Sequence, residues 1–353
     1  MKRKIKIFLG AYINQTNAQN LNCRSLAVYL DKRKFDVLTL AINHGNLGAI
    51  NLPGVKIFNC HYPVKLTQYL GYFWGIANSD VAYLPRGNSY KFQRFLVHLF
   101  KRRSFKTIEN IIDTESLTSA LAALKDINEV VENYTFTTRC YSITHFMRNY
   151  NLSEHGLASE ENILYPVIDT THFKAGAQVR SSLKRLIFIG NDMKRKGVND
   201  LLELARIYPD LNFSIIGKDN MGLDKFLENP QFKNVRYLGV LNHDELTKEL
   251  ANSDLHILPS KSEGFPRSII ECAANGVPSI VYADYGADEW IDSGVNGFVC
   301  DSFEGMRKAV LTLKNSDELM MKMSKEALKL SDTFQVEKVV EMYETVIEEL
   351  YES

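Results

Sequence analysis

The chain has 353 residues, 45% of them apolar, with 42 basic and 42 acidic side chains. That length and apolar content suffice for two cores. A formal charge of zero leaves no overall nucleic-acid footprint, and five scattered cysteines without a C-x-x-C pair argue against a disulfide framework or a zinc site. The balance is nevertheless uneven: residues 1–174 carry about 21 basic and 13 acidic side chains and residues 175–353 about 21 and 29, roughly +8 against −8.

The opening "MKRKIKIFLGAYINQTN" has a basic start, but Lys6 interrupts a short apolar run, so it reads as a first strand rather than a signal peptide. No stretch approaches the roughly 20 apolar residues of a membrane span. A cytoplasmic protein, soluble or peripheral on the inner face of the plasma membrane, is the expectation. Nearly continuous apolar runs follow in order: "IKIFLGAY", "FDVLTLAI", "GVKIFNC", "DVAYLP", "FKTIENII" and "YTFTTRCYS". After the small, polar segment "DTTHFKAGAQVRSS", read as a linker at about 170–183, come "KRLIFIG", "LNFSIIG", "VRYLGV", "LHILPS", "PSIVY" and "GFVC". Runs apolar on both faces, separated by amphipathic helices, predict parallel sheets covered by helices, an α/β class. The expected organisation is a Rossmann-like domain over 1–174, a second over 184–332, and a helix over 333–353 crossing back to the first. A ligand is expected in a cleft between them, at the carboxyl ends of the strands.

Within the first half, "RGNSYKFQRFLVHLFKRRSFK" joins Phe92, Phe95, Leu96, Leu99 and Phe100 to Arg94, Lys101, Arg102, Arg103 and Lys106. A crossover helix with a basic end accounts for this pattern; the sharper reading is a helix lying on an anionic membrane surface that delivers a lipid-linked acceptor. "HYPVKLTQYLGYFWG", with Tyr69, Tyr72, Phe73 and Trp74, reads as core.

The second half carries the chemistry. In "LPSKSEGFPRSIIECAANG" a strand leads through a tight loop into a helix. Pro266 suits the first helical turn, Gly264 permits close backbone approach, and the amides of Phe265, Arg267 and Ser268 lie where a helix start attracts an anion. Glu271, one turn inside, is placed for the hydroxyls of a ribose, and Glu263, on the loop, for those of a second sugar. Either acid alone would be an ordinary surface residue; the assembled pattern is not. In "IFIGNDMKRKGVNDLLELA" a strand ends at Gly190, and Arg195 and Lys196 follow at its carboxyl end, a cation pair suited to a diphosphate. Alone it would be a solvated basic loop. "FSIIGKDN" adds Gly217 and Lys218 as weaker candidates for a base or phosphate, and "YLGVLNHDEL" places Leu241 in a loop whose backbone could meet a base edge.

These motifs, with "ANGVPSIVY" and "GADEWIDSGVNGFVC", resemble the donor half of retaining glycosyltransferases of the GT-B fold, family 4 (the group 1 glycosyltransferases), over residues 184–353. "GNDMKRKGV" is most similar to the lipopolysaccharide-core glucosyltransferases of that family. The resemblance implies two Rossmann-like domains facing each other across a cleft and a UDP- or GDP-sugar donor. It further implies a glycan, glycolipid or lipid-linked acceptor and no metal or other cofactor. By the same resemblance Glu271 binds the ribose, Glu263 the transferred sugar, and Arg195 and Lys196 the diphosphate. The chain departs from the family at three points: Asn191 replaces an Arg after the strand glycine, Gly10 alone stands for an N-terminal Gly pair, and a His after the fifth strand gives way to "NIIDTES", where Asp113 or Glu115 is a candidate substitute. Alternative readings are a GT-B sugar-nucleotide epimerase and a non-catalytic GT-B subunit that stabilises a partner transferase.

Overall fold

The fold is that of a computed structural model, which describes residues 3–43, 50–112 and 126–353. The chain forms two compact units, Met1–Val167 with Val336–Ser353, and Ile168–Gln335.

The first unit is built on a parallel sheet of β1 (Ile5–Tyr12), β2 (Phe35–Ile42), β3 (Val55–Cys60), β4 (Val81–Tyr83), β5 (Arg103–Ile108) and β6 (Arg139–Ser142), in the order β3-β2-β1-β4-β5-β6. Residues alternate across the sheet, so Ile7 and Leu9 enter one core layer and Phe8 the other. On the first side pack α1 (Ala18–Tyr29), whose start is capped by Asn17, and α13 (Val336–Glu352), which lays Val336, Val339, Val340, Tyr343, Val346 and Ile347 into the core. Buried Asn22 joins them: its amide donates to Tyr83 Oη at 3.2 Å and Tyr343 Oη at 3.0 Å, and its oxygen accepts from Val167 N at 2.8 Å. On the second side lie α2 (Val64–Asn78) and α3 (Tyr90–Leu99). At Gly75 of α2 a Cβ would stand 2.2 Å from the Phe8 ring, so helix and sheet meet at a spacing only glycine permits.

The last run of the first half departs from expectation. Tyr134 and Thr135 close α4 (Ile127–Thr135), and the strand begins only at Arg139. The aromatic that suggested strand is instead buried with Tyr90, Ile108 and Val130 on the helix face, and Asp126 caps the helix start by accepting from Glu129 N. After β6 comes α5 (His145–His155), capped by Thr144.

The second unit repeats the architecture with β7 (Arg185–Ile189), β8 (Asn212–Ile216), β9 (Val235–Tyr237), β10 (Leu255–Leu258), β11 (Ser279–Tyr282) and β12 (Gly297–Cys300), ordered β12-β11-β10-β7-β8-β9 and parallel throughout. The segment read as a linker is packed here: Phe173, on α6 (Thr171–Lys174), lies in the core, and buried Arg180 donates to the carbonyls of Leu250, Ala251 and Asn275. The division therefore falls after Val167, not at 174, because this polar stretch finds backbone acceptors in the second unit. Further helices are α7 (Val198–Ile207), α8 (Leu223–Leu227), α9 (His243–Ala251), α10 (Arg267–Ala274), α11 (Phe303–Lys314) and α12 (Asp317–Thr333).

Candidate functional site

In the second unit the chain moves from β7 through β8 to β9 on one side, then returns to β10 on the other side of β7. Loops that leave β7 and β10 therefore diverge, opening a crevice at the carboxyl ends of the strands, the place where open α/β sheets bind ligands. Two glycines let the loops close upon one another. Gly217, with φ 136°, lies so near Gly190 that a Cβ would stand 1.9 Å from its carbonyl oxygen, and Gly197, with φ 77°, would bring a Cβ within 2.1 Å of Pro259 O.

The β7 loop brings Arg195 and Lys196 to the β10 loop. Lys196 Nζ donates to Glu263 Oε1 at 2.6 Å, and Arg195 Nη1 lies 3.8 Å from the same oxygen. Arg195 Nη1 also donates to the Ser262 carbonyl, and its Nε stands 3.4 Å from Asp192 Oδ2. Lys196 and Glu263 side chains are only 16% and 9% exposed, so the pair is held away from water. Two cations against Glu263 leave one positive charge in the cluster, partly offset by half-exposed Asp192. Glu263 thus has a task that its place in the sequence does not show: it orients Lys196.

Pro266 occupies the N-cap of α10, with extended ψ of 104°, rather than its first turn, and no side chain caps the helix. An uncapped start with its dipole beside Arg195 and Lys196 suits an anion. Glu271 lies one turn inside, its Oε1 3.9 Å from Arg267 Nε. Burial pushes its carboxyl above the ordinary carboxylate value, while Arg267, His243 and Lys196 pull it back.

Beneath this cluster is a residue that the sequence reading passed over. His256 of β10 is fully buried, with Nδ1 3.0 Å from Ser279 Oγ and no hydrogen-bond partner for Nε2 among the described residues. Burial, and Lys196 nearby, depress its pKa to about 3, so the imidazole stays neutral. Its only signal was one His inside the apolar run "LHILPS".

The remaining candidates divide. Asn191 Oδ1 accepts from Lys218 N at 3.1 Å, and Gly217 N donates to Gly239 O at 2.8 Å, which ties three loops together. Tyr237 Oη reinforces them, donating to Gly217 O at 2.9 Å. The Phe265 ring packs between Trp290 and Phe334, with centroids at 4.8 and 5.1 Å, so that residue can offer a ligand only its backbone. Leu241 is packed against the core, and Ser268 is buried at the start of α10. Gly10 belongs to the first unit, where it lines a separate pocket. Asp113 and Glu115 lie outside the described residues. Among the described residues no group of three or more His, Cys, Asp and Glu is placed to hold a metal ion.

Residues 169–330 match the family model of glycosyl transferases, group 1. The match takes in almost the whole second unit. N-acetyl-alpha-D-glucosaminyl L-malate synthase of Bacillus anthracis is 29% identical over 187 residues, 50% of this chain and 49% of that protein. A Campylobacter jejuni relative, N,N'-diacetylbacillosaminyl-diphospho-undecaprenol alpha-1,3-N-acetylgalactosaminyltransferase, is 23% identical over 346 residues, 91% of this chain and 80% of that one. The chain spans about half the length, or less, of most of the curated relatives it matches. Among solved structures, Anabaena Alr3699/HepE in complex with UDP aligns with a TM-score of 0.74 at 14% identity, over 98% of this chain and 100% of that one. Both six-stranded parallel sheets take part in this likeness, which is one of fold, GT-B.

Proposed function

We propose that the protein is a retaining glycosyltransferase that moves a sugar from a nucleotide diphosphate sugar to a glycan, glycolipid or lipid-linked acceptor. The observation that carries this reading is the Arg195–Lys196–Glu263 cluster beside the uncapped start of α10, at the point where the sheet order reverses. The UDP bound by the Anabaena protein favours UDP as the leaving group, and the group 1 match covers the same unit. The Campylobacter relative, matched over most of its length, favours a lipid-linked acceptor. Five buried, free cysteines fit a reducing, cytoplasmic location.

Breaking the bond between sugar and diphosphate places negative charge on the departing phosphate oxygen. Lys196 Nζ and the Arg195 guanidinium neutralise that charge as it develops, together with the helix-start dipole. Glu271, desolvated and poised one turn from the helix start, accepts hydrogen bonds from two ribose hydroxyls. Glu263, held by Lys196, turns its other oxygen to hydroxyls of the transferred sugar. In a retaining transfer the acceptor hydroxyl approaches from the face the diphosphate leaves, so the departing phosphate oxygen takes its proton.

Thermal stabilisation across UDP-, GDP-, ADP- and CMP-sugars tests the reading. A uridine or guanosine diphosphate sugar is expected to raise the melting temperature of the wild type and much less that of Lys196→Ala or Glu271→Ala; no rise with any of the four overturns it. Release of free nucleotide only when an acceptor is present separates transfer from epimerisation.

A further inference from the structure

The helix α2 is apolar on both sides. Tyr72 and Ile76 face the sheet, while Leu66, Leu70 and Phe73, spaced i, i+4, i+7, face outward at 61%, 55% and 49% exposure. The outward stripe continues onto α3: Tyr69 meets Phe92 edge-on at 5.0 Å, Phe73 meets Phe100 at 5.5 Å, and Phe95 and Leu99 are 57% and 53% exposed. The expectation that "HYPVKLTQYLGYFWG" is core therefore holds for one side of the helix only. An exposed contiguous patch of large apolar side chains marks an interaction site.

Charge identifies the occupant. Residues 61–106 contain one acid, Asp80, against eight Lys and Arg, and Asp80 is paired with Arg3. Lys91 and Arg94 are paired with Glu129 and Glu132 of α4. Lys65, beside Leu66, and exposed Lys101, just past α3, have no carboxylate partner among the described residues. An apolar stripe bordered by unpaired cations and almost free of acids fits an anionic bilayer better than a protein groove. No described helix is long and apolar enough to cross the membrane, so the contact would be peripheral.

The same helix borders a cavity of about 390 Å³ where β1 and β4 part company, the place at which the first sheet reverses its order. Lys65 and Arg86 line it with Gln68, Tyr72 and Asn88, and no Asp or Glu is among its lining residues. Two cations, amides and hydroxyls without an acid select an anion.

We propose that the first unit docks on an anionic lipid bilayer through the outward face of α2 and α3, and that the adjoining cavity takes the phosphate-bearing headgroup of a lipid between Lys65 and Arg86. It deepens the transferase reading, on which it rests only for the identification of that lipid as the acceptor.

Vesicle flotation of the full chain tests the docking. The wild type is expected to float with vesicles of phosphatidylcholine and phosphatidylglycerol, to release as salt is raised, and to stay behind with phosphatidylcholine alone. Phe73→Glu should abolish flotation, and Lys101→Ala should weaken it about fivefold, the effect of one cation at an anionic surface. Equal flotation on neutral vesicles, or an unaffected Phe73→Glu protein, overturns the docking. Inorganic pyrophosphate is the probe for the cavity, titrated calorimetrically into the Lys196→Ala protein so that the second unit's cluster does not take it. Binding should fall several-fold when Lys65→Ala or Arg86→Gln is added, and unchanged affinity overturns the headgroup site. The nucleotide-induced rise in melting temperature of Phe73→Glu, Lys65→Ala and Arg86→Gln in an otherwise wild-type chain reports that each folds. If no nucleotide stabilises even the wild type, the donor reading fails while flotation and pyrophosphate binding still decide this one, with urea unfolding as the fold control.

Discussion

Glu271 is asked to do two things that conflict. A buried carboxyl whose pKa is raised by desolvation is more comfortable protonated in the fold than in the unfolded chain, so its contribution to stability is lost as pH rises through its folded range. At neutral pH it is therefore a destabilising group, a cost that two charge-assisted bonds to a diol would offset under the proposed function. Glu271→Gln should raise the melting temperature of the free protein and weaken nucleotide-sugar binding by about 1.5–3 kcal/mol, readable by calorimetry. The Lys196–Glu263 pair makes a complementary case. Lys196→Ala strands a carboxylate that is 9% exposed and should cost about 3 kcal/mol in urea unfolding. Adding Glu263→Gln should return most of that stability but none of the nucleotide binding; a double variant as unstable as the single one would mean that the pair is not energetically coupled. For His256 the sign runs with acid. Its folded pKa, about 3, lies below the unfolded value of ~6.5, so only the unfolded chain takes up a proton as pH falls between the two. Stability should drop by up to ~1.4 kcal/mol per pH unit over that window, and His256→Gln should flatten the slope.

At the scale of elements, the strands were readable because each is a short run apolar on both faces, and eleven of the twelve expected runs are strand from within one residue of their start. "YTFTTRCYS" is the exception, since an aromatic buried from a helix and one buried from a strand look alike in a run of that length. The candidate site was legible where the chemistry is local: Glu263, Arg195 and Lys196 announce themselves by charge at strand ends. It was not legible where it depends on pairing across the sheet. That Glu263 grips Lys196 follows from β7 and β10 being neighbours, a fact of strand order that no stretch of sequence encodes. That the Phe265 ring is withdrawn from a ligand, leaving only its backbone to offer, was hidden for a related reason, because Trp290 and Phe334 arrive from remote elements to bury it. The outward face of α2 was hidden by its own composition, as a helix apolar all round reads as buried until the sheet shows which side is left over. Loop closure is equally a matter of elements: Gly217→Ala places a methyl 1.9 Å from Gly190 O at φ 136°, and should unfold the protein at a markedly lower urea concentration and abolish nucleotide stabilisation.

At the scale of the molecule, the two units share one plan, six parallel strands with a reversal in the middle, and each places its polar cluster at that reversal. Counted by unit their charge is nearly even, about +3 for the first, to which Val336–Ser353 brings six acids and one Lys, and about −3 for the second, so each gathers its cations locally rather than through its net charge.

The helix α13 has a consequence for the order of events during synthesis. Its Val340, Tyr343 and Ile347 complete a core otherwise made from residues before 168, and Tyr343 supplies one of the two hydroxyls to which Asn22 donates. Ribosomes release a chain from its amino end, so the first unit to emerge is the last whose interior can be sealed. Throughout translation of the second unit it must wait with the β1–β4 layer uncovered, a nascent species open to chaperones and proteases. A ribosome-stalled chain ending before Val336 should be cleaved by protease within the first 167 residues, whereas one extended until Ser353 has cleared the exit tunnel should resist.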